Sequence, residues 1–359
     1  MFACDACGRT YEEGPDEPWR CACGHALDFA DPPLPDGPPP AFDALDTRRG
    51  LWAFEAFLPV ERRVSLGEGF TPLVDAPDWN AAFKLEYLFP SGSFKDRGAT
   101  TTLSRAAELG VERVVEDSSG NAGAAIAQYA ARAGIDADVY VPADVKPSKL
   151  AAIERAGARP VRIEGSRQDV TDACVEAVES GGGWYASHAW NPAFFAGTAT
   201  FAFEVAAQRD WTAPDAVVLP LGHGTLFLGA YRGFQALHDA GWIDDLPRLL
   251  GVQAAGVAPI ATALNGPTAG ENDAADGIQI ARPARGDQIL DAIEATEGDA
   301  IAVDADATED ALDALHRAGF YVEPTSAAAV AGLDAYRDQG GIAPTADVVV
   351  PLTGSGLKT

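Results

Sequence analysis

The stretch Gly92-Ser93-Phe94-Lys95-Asp96-Arg97-Gly98 decides the fold that we expect, and the rest of the chain is interpreted around it. Its glycine and serine indicate a turn, and the residues from Phe94 onwards are typical of a helix start. The chain has only five lysines, so an amine at position 95 is an unusual choice. An amine forms a Schiff base with an aldehyde, which a guanidinium group cannot do. The stretch predicts a reactive Lys95 on a fixed scaffold; a solvated surface lysine is the alternative.

Length and charge exclude several classes of protein. A chain of 359 residues with 47% hydrophobic residues predicts two domains and a small appendage. The formal net charge of -27 argues against nucleic acid or an anionic membrane as a partner. No apolar run reaches the roughly twenty residues that span a bilayer, and no signal peptide is recognisable. We therefore expect a cytoplasmic protein whose acidic surface is adapted to high salt, where counterions screen self-repulsion.

Four of the five cysteines cluster near the N-terminus, at Cys4, Cys7, Cys21 and Cys23. Two cysteine pairs at the tips of two turns can converge as four thiolates around one zinc ion. Two disulfides are the alternative, which a reducing cytosol disfavours. The pattern predicts a zinc-ribbon-like segment at residues 1–30 with a structural metal, because four thiolates leave no open coordination position.

Strand-like and helix-like runs alternate after a proline-rich linker at residues 31–42. Apolar runs predict strands at 83–86, 111–116, 137–141, 160–163, 184–187, 216–221, 249–253 and 348–352. Helical patterns lie at 51–60, 122–133, 148–156, 169–178, 226–239, 308–318 and 326–336. This alternation predicts an α/β protein whose parallel sheets are covered on both faces.

The loop Ser118-Ser119-Gly120-Asn121-Ala122-Gly123 lies between a predicted strand and a predicted helix. In open parallel sheets, ligands bind beyond the carboxyl ends of the strands. Small residues let backbone N–H groups approach an anion at a helix N-terminus, so a carboxylate would fit. Asn121 could donate to a phenolate oxygen or act as an ordinary helix N-cap.

Two further loops also follow predicted strands. Gly222-His223-Gly224-Thr225 has the glycines and the hydroxyl of a phosphate-binding nest, although an ordinary tight turn would look the same. It lacks the pattern of a nucleotide-binding loop. Thr353, before Gly354-Ser355-Gly356, could hydrogen-bond a pyridine nitrogen or belong to a plain turn. Together with Lys95 and Asn121, these loops offer the four kinds of group that pyridoxal phosphate needs.

The motifs at 92–98, 118–123 and 353–358 resemble those of threonine synthase, and the similarity covers nearly the whole chain after the linker. Threonine synthases belong to the fold-type II pyridoxal-phosphate enzymes, and some also carry a cysteine-rich N-terminal ribbon. The resemblance implies an α/β fold of two doubly wound domains, tryptophan synthase β-like, after the zinc ribbon. The implied domains are a larger cofactor-binding domain at 31–99 and 190–359 and a smaller one at 100–189.

The resemblance also implies a role for each candidate residue. Lys95 would hold the cofactor covalently and move protons, Asn121 would bond its ring oxygen, and Thr353 would face its ring nitrogen. The residues implied for the cofactor phosphate are Gly222, His223, Gly224, Thr225 and Leu226. The residues implied for the substrate carboxylate are Ser118, Ser119, Gly120 and Ala122. The implied reaction converts O-phosphohomoserine and water to threonine and phosphate, in a protein that is expected to form a homodimer.

This sequence departs from the threonine synthase pattern within residues 191–200. Threonine synthases typically have an arginine and a lysine where this chain has Phe194 and Ala199. Apolar residues supply no charge-assisted bond to a phosphate, so Lys84, Arg97 and Lys149 are other candidates for that contact. A threonine or serine dehydratase, or another enzyme of β-elimination or replacement, is therefore an alternative. A non-catalytic binding protein is the alternative from another class.

Overall fold

The computed structural model describes residues 1–34 and 36–358. The chain divides into two units, Met1–Pro35 with Thr47–Gly69 and Lys95–Thr198, and Asp36–Asp46 with Phe70–Phe94 and Ala199–Thr359. The strands are β1 Phe2–Ala3, β2 Thr10–Tyr11, β3 Asp28–Phe29, β4 Leu73–Ala76, β5 Ala81–Lys84, β6 Arg113–Glu116, β7 Asp136–Pro142, β8 Arg159–Ile163, β9 Trp184–Tyr185, β10 Ala216–Pro220, β11 Arg248–Ala254, β12 Asp299–Val303 and β13 Val348–Pro351. The α-helices are α1 Lys95–Glu108, α2 Asn121–Ala133, α3 Pro147–Arg155, α4 Arg167–Glu179, α5 Pro192–Ala207, α6 Thr225–Asp239, α7 Pro259–Asn265, α8 Gly286–Ala295, α9 Ala305–Arg317 and α10 Pro324–Asp338.

The first unit contains a parallel sheet in the order β8-β7-β6-β9. The apolar strands β6 and β7 lie at its centre, as expected of strands that are buried on both faces. Helix α2 is rich in alanine, the best helix former, and ends at Gly134, which adopts a left-handed conformation (φ 71°). Helix α4 begins at a capping box formed by Ser166 and Asp169.

The N-terminal segment of the same unit forms a small antiparallel sheet in the order β2-β1-β3. Its core is correspondingly small, with Phe2 and Leu27 packed beside two cysteines. Trp19 makes edge-to-face contacts with Tyr185 and Trp190 of the unit's main body, at centroid distances of 5.1 and 5.2 Å. The segment is therefore attached to the parallel sheet by aromatic packing as well as by the chain.

The second unit contains a six-stranded sheet in the order β12-β11-β10-β13-β5-β4. All neighbours are parallel except β4, which runs antiparallel to β5 at one edge. Every residue of β10 is buried, because helices cover both faces of the sheet. Helix α10 is one of these helices, and its Tyr336 hydroxyl donates to the carbonyl oxygen of Gly251 on β11 over 3.0 Å.

The predicted α/β fold is confirmed, and the predicted strands and helices lie close to their observed positions. The sequence analysis did not predict β1, β2 and β3 as strands, and it also missed β4, α5, α7, α8 and β12. Residues 51–60, predicted to be helical, lie largely in 3-10 turns over Thr47–Phe57 that break at Gly50. A side chain at Gly50 would overlap with the carbonyl oxygen of Glu68, so this kink requires glycine. Among residues 1–34 and 36–358, no helix has both the length and the apolar character to cross a membrane.

Candidate active site

The residues that lead into Lys95 are held by the segment that follows β13. Ser93 and Gly354 form an isolated antiparallel bridge. The backbone N–H of Phe94 donates to the carbonyl oxygen of Thr353 over 3.0 Å, and that of Ser355 donates to Gly92 over 2.9 Å. These contacts fix the turn that the sequence predicted, and Lys95 follows it as the first residue of α1.

Helix α1 is buried from Asp96 to Ala106, which makes it a rigid support for Lys95. Gly98 lies on this helix where a Cβ atom would overlap with the ring of Phe194. Thr101 donates its hydroxyl to the carbonyl oxygen of Ala193 over 2.7 Å. The helix is thus locked by a close approach and a buried hydrogen bond, and Lys95 at its start is half-buried.

The Ser118–Gly123 loop joins β6 to α2. Gly120 is the N-cap of α2 and Asn121 its first residue, so Asn121 is not the N-cap that the sequence left as an alternative. The backbone N–H of Gly120 donates to the Ser118 hydroxyl over 3.3 Å. Gly123 must be glycine, because a Cβ atom there would overlap with the Ser118 carbonyl oxygen. The first turn of α2 directs its N–H groups into this loop, as an anion-binding site requires.

The loop with Gly222 and Gly224 joins β10 to α6. Gly224 is the N-cap of α6 in a left-handed conformation (φ 75°), and it has no side chain to accept hydrogen bonds from the first turn. A Cβ atom on Gly222 would lie 3.2 Å from Ile278 and Ile280, and one on Gly224 would lie 2.5 Å from Ile289. Together with the nearly buried Thr225 hydroxyl, this tight cradle suits a phosphate group.

Thr353 lies just beyond β13 and is buried, with 1% of its surface exposed. Its hydroxyl oxygen is 3.1 Å from that of Ser326, near the start of α10. The backbone N–H of Gly354 donates to the same Ser326 hydroxyl over 2.9 Å. Sequence reasoning treated Ser326 only as part of a helix, and nothing local in the sequence signals its contact with Thr353. The structure thus adds Ser326 as a residue that orients the Thr353 hydroxyl.

Glu116 and His188 form a buried pair that the sequence did not reveal. Their side chains meet over 2.7 Å between Oε1 and Nδ1, and they are 0% and 5% exposed. Burial raises the pKa of Glu116 well above its usual range, and the charge of Asp117 adds to this rise. The backbone N–H of His188 and the charges of Lys95 and Arg167 act in the opposite direction.

Lys84, one of the sequence candidates for binding a substrate phosphate, is committed elsewhere. Its ammonium group is fully buried and donates to Glu204, Gln208 and the Thr71 carbonyl oxygen over 2.8, 2.9 and 2.5 Å. An ammonium group has three N–H donors, and these three acceptors match them. We therefore interpret Lys84 as a structural residue of β5.

The four N-terminal cysteines meet in one cluster. All five cysteines of the chain are free, and the sulfur atoms of Cys4, Cys7, Cys21 and Cys23 lie within 4.8 Å of one another. Tetrahedral zinc with bonds of about 2.3 Å needs sulfur separations of about 3.8 Å, so this donor set fits. The pKa of Cys21 is lowered to about 6, chiefly by the Cys23 backbone N–H and then by the Tyr11 hydroxyl, which favours a thiolate.

Comparison with known proteins identifies the family of this chain. The family described as pyridoxal-phosphate dependent enzymes matches residues 64–354. The threonine synthase of Methanocaldococcus jannaschii is 34% identical over 99% of this chain and 92% of its own length. The threonine synthase of Methanosarcina acetivorans is 36% identical over 86% of this chain and 80% of its own length.

Solved structures of related enzymes share the fold. Maize serine racemase superposes with a TM-score of 0.69 at 22% identity, covering 87% of this chain and 93% of its own. The processed form of threonine deaminase isoform 2 from Solanum lycopersicum superposes with a TM-score of 0.69 at 20% identity, covering 90% of this chain and 87% of its own. This chain belongs to the family of pyridoxal-phosphate dependent enzymes.

Proposed function

We propose that the chain is a threonine synthase, a lyase of threonine biosynthesis that converts O-phosphohomoserine and water to threonine and phosphate. The observation that carries this proposal is the match to proteins named threonine synthase at 34% and 36% identity over most of both chains. The buried start of α1, which presents Lys95, supports a fixed reactive amine. Membership of an enzyme family argues against the non-catalytic alternative.

Pyridoxal phosphate, when bound, supplies an electron sink next to the substrate α-carbon. Lys95 is the proposed point of attachment, and its amine would hold the proton taken from the α-carbon. Asn121 would donate to the ring oxygen, and Thr353 would meet the ring nitrogen. The proposed phosphate ligands are Gly222, His223, Gly224, Thr225 and Leu226, which is supported by the cradle at the start of α6.

The substrate carboxylate is assigned to the start of α2, with Ser118, Ser119, Gly120 and Ala122 as its proposed contacts. This assignment is supported by the N-cap glycine and by the close packing of Gly123 against Ser118. The partial positive charge of a helix N-terminus orients an anion without a counter-charge. The residues would therefore hold the carboxylate while leaving the α-carbon accessible to Lys95.

A dehydratase that acts on threonine or serine is the second candidate. The observation in its favour is Phe194, which is fully buried against Gly98 where threonine synthases typically have a cation. A phenyl ring offers no charge-assisted bond to a substrate phosphate. The product distinguishes the two functions, since a dehydratase forms 2-oxobutanoate from threonine and a synthase forms threonine and phosphate from O-phosphohomoserine.

Zinc bound by Cys4, Cys7, Cys21 and Cys23 is proposed as a structural ion. It would stabilise a segment whose own hydrophobic core is small. We further propose that the protein is a cytoplasmic homodimer with a surface adapted to high salt, in line with its net charge of -27. Metal analysis of purified protein would test the first proposal, and one zinc per chain is expected.

Two measurements test the proposed function. Borohydride reduction followed by peptide mapping is expected to place the cofactor label on Lys95, and Lys95→Ala should abolish it. A product assay at high salt with added cofactor is expected to yield threonine and phosphate from O-phosphohomoserine. Label on another residue would contradict the site. Release of 2-oxobutanoate from threonine, without turnover of O-phosphohomoserine, would establish the dehydratase instead.

A further inference from the structure

Glu116 and His188 lie at the same edge of the first unit's parallel sheet. Glu116 is the last residue of β6, and His188 follows the end of the neighbouring parallel strand β9. The carboxyl ends of parallel strands are where ligands bind in α/β folds. The loop that we assign to the substrate carboxylate begins at Ser118, two residues after Glu116. The pair therefore lies at the ligand-binding edge of its sheet.

Both carboxylate oxygens of Glu116 are engaged by one residue. Oε1 is 2.7 Å from His188 Nδ1, and Oε2 accepts from the His188 backbone N–H over 3.2 Å. The ring of Phe194 lies edge to face with the imidazole of His188, and the ring centroids are 6.2 Å apart. These contacts fix the ring and share one proton between Oε1 and Nδ1, so we assign the transfer of a second proton to Nε2.

The charges around the pair connect it to Lys95. Asp117 from the same strand end, Lys95 from α1 and Arg167 from α4 all act on Glu116. A buried carboxylate is costly, and an apolar residue would pack at this position without that cost. When Glu116 is ionised, however, its negative charge would stabilise an imidazolium ion at His188. This arrangement is typical of a proton-transfer pair rather than of simple packing.

The proposed reaction needs more than one proton carrier, and the inference rests on that function. Each turnover releases protons from the α-carbon, the β-carbon and the added water. It delivers protons to the γ-carbon, the α-carbon and the departing phosphate, so three are released and three are taken up. A single amine at Lys95 carries one of these at a time. The proton that water loses must therefore pass either directly to the departing phosphate or through a second group.

We propose that His188, oriented by Glu116, is a second proton-transfer residue of this enzyme. As the water oxygen forms its bond to the β-carbon, one O–H bond breaks and its proton passes to His188 Nε2. The electron pair of that O–H bond stays on the oxygen, which becomes the threonine hydroxyl. The proton then passes from Nε2 to the departing phosphate, and His188 is ready for the next turnover.

The product ratio of His188→Gln tests this role. If water is not activated, the carbon skeleton that has lost phosphate leaves as 2-aminobut-2-enoate, which hydrolyses to 2-oxobutanoate and ammonia. We expect the ratio of threonine to 2-oxobutanoate formed from O-phosphohomoserine to fall on the order of tenfold or more, because a general base typically contributes at least that much. The ratio reports only on active molecules, so partial unfolding of the variant does not affect it.

Glu116→Gln provides a second variant and should shift the ratio in the same direction by less, because the imidazole stays but its counter-charge is lost. His238→Gln, on the exposed end of α6, is the control and should leave the ratio unchanged. Two results would overturn the proposal. One is a wild-type ratio in both test variants, and the other is a fall in phosphate release that equals the fall in threonine formation. Wild-type protein that forms no threonine at all would instead refute the proposed function.

Discussion

Replacing Lys84 by methionine should destabilise the second unit strongly. The sequence made Lys84 a candidate for binding a substrate phosphate, but its contacts indicate a structural role. Its ammonium group and the Glu204 carboxylate are both fully buried and 2.8 Å apart. Methionine fills a similar volume but removes the ammonium group that faces this buried carboxylate. The Thr71 carbonyl oxygen and the Gln208 side chain each lose a donor as well.

The expected loss follows from these contacts. Removing one partner of a buried ion pair typically costs about 3–5 kcal/mol of unfolding free energy, because the other charge stays buried and uncompensated. Adding Glu204→Gln to Lys84→Met removes that charge and keeps an acceptor for the Thr71 backbone N–H. The double variant should therefore regain more than half of the loss and remain about 1–2 kcal/mol below the wild type.

Urea unfolding is the appropriate assay, because guanidinium chloride is itself a salt and would change the screening of an acidic protein. The signal is the combined fluorescence of the seven tryptophans, one of which, Trp79, packs on Phe83 of β5 at a centroid distance of 5.2 Å. Lys146→Met, at an exposed position, is the matched control and should leave the unfolding free energy unchanged within about 0.5 kcal/mol. A single variant as stable as the wild type, or a double variant no more stable than the single one, would refute the reasoning.

Three further predictions concern the first unit. Gly98→Ala should lower the unfolding free energy measured in urea by about 3 kcal/mol, because its Cβ atom would overlap with the Phe194 ring. Adding Phe194→Leu should recover part of that loss, whereas a Gly98→Ala variant as stable as the wild type would contradict the packing. Chelation of metal, or Cys7→Ser, should lower the melting temperature of the wild type if the cluster holds zinc, whereas a melting curve that does not respond would contradict a structural ion. The pKa of Asp169 is lowered mainly by the Ser166 hydroxyl and, to a lesser extent, by the Ser166 backbone N–H, so this cap contributes stability above pH about 4 and loses it as pH falls further. Ser166→Ala should therefore narrow the difference in unfolding free energy between pH 6 and pH 3, and an unchanged difference would count against the cap.

The buried parallel strands could be predicted from the sequence because each is a short apolar run followed by a helical pattern. β10, for example, is buried along its whole length and lies within the predicted strand 216–221. The edge strand β4 was missed because Asp75 interrupts its short apolar run, whereas β12 was missed although residues 300–303 are an apolar run. β4 is also antiparallel, and its pairing with β5 depends on distant residues rather than on its own composition.

Prediction of the candidate site was limited in the same way, because contacts between distant parts of the chain cannot be inferred from local sequence. The loops after β6, β10 and β13 could be recognised because their small residues are unusual at strand ends. The contact between Ser326 and Thr353 could not, since it joins α10 to a segment that follows it only after another strand. The Glu116–His188 pair likewise depends on β9 being the neighbour of β6, a non-local pairing that a single sequence does not specify.

The pairing of β5 with β13 has a consequence for how the chain folds during synthesis. β5 leaves the ribosome early, whereas its parallel partner β13 and the segment that clamps Ser93 emerge much later. Until then β5 exposes an unpaired backbone edge that can join other nascent chains. The turn that precedes Lys95 therefore acquires its final support only near the end of translation, and chaperone protection of the incomplete sheet would matter most during that interval.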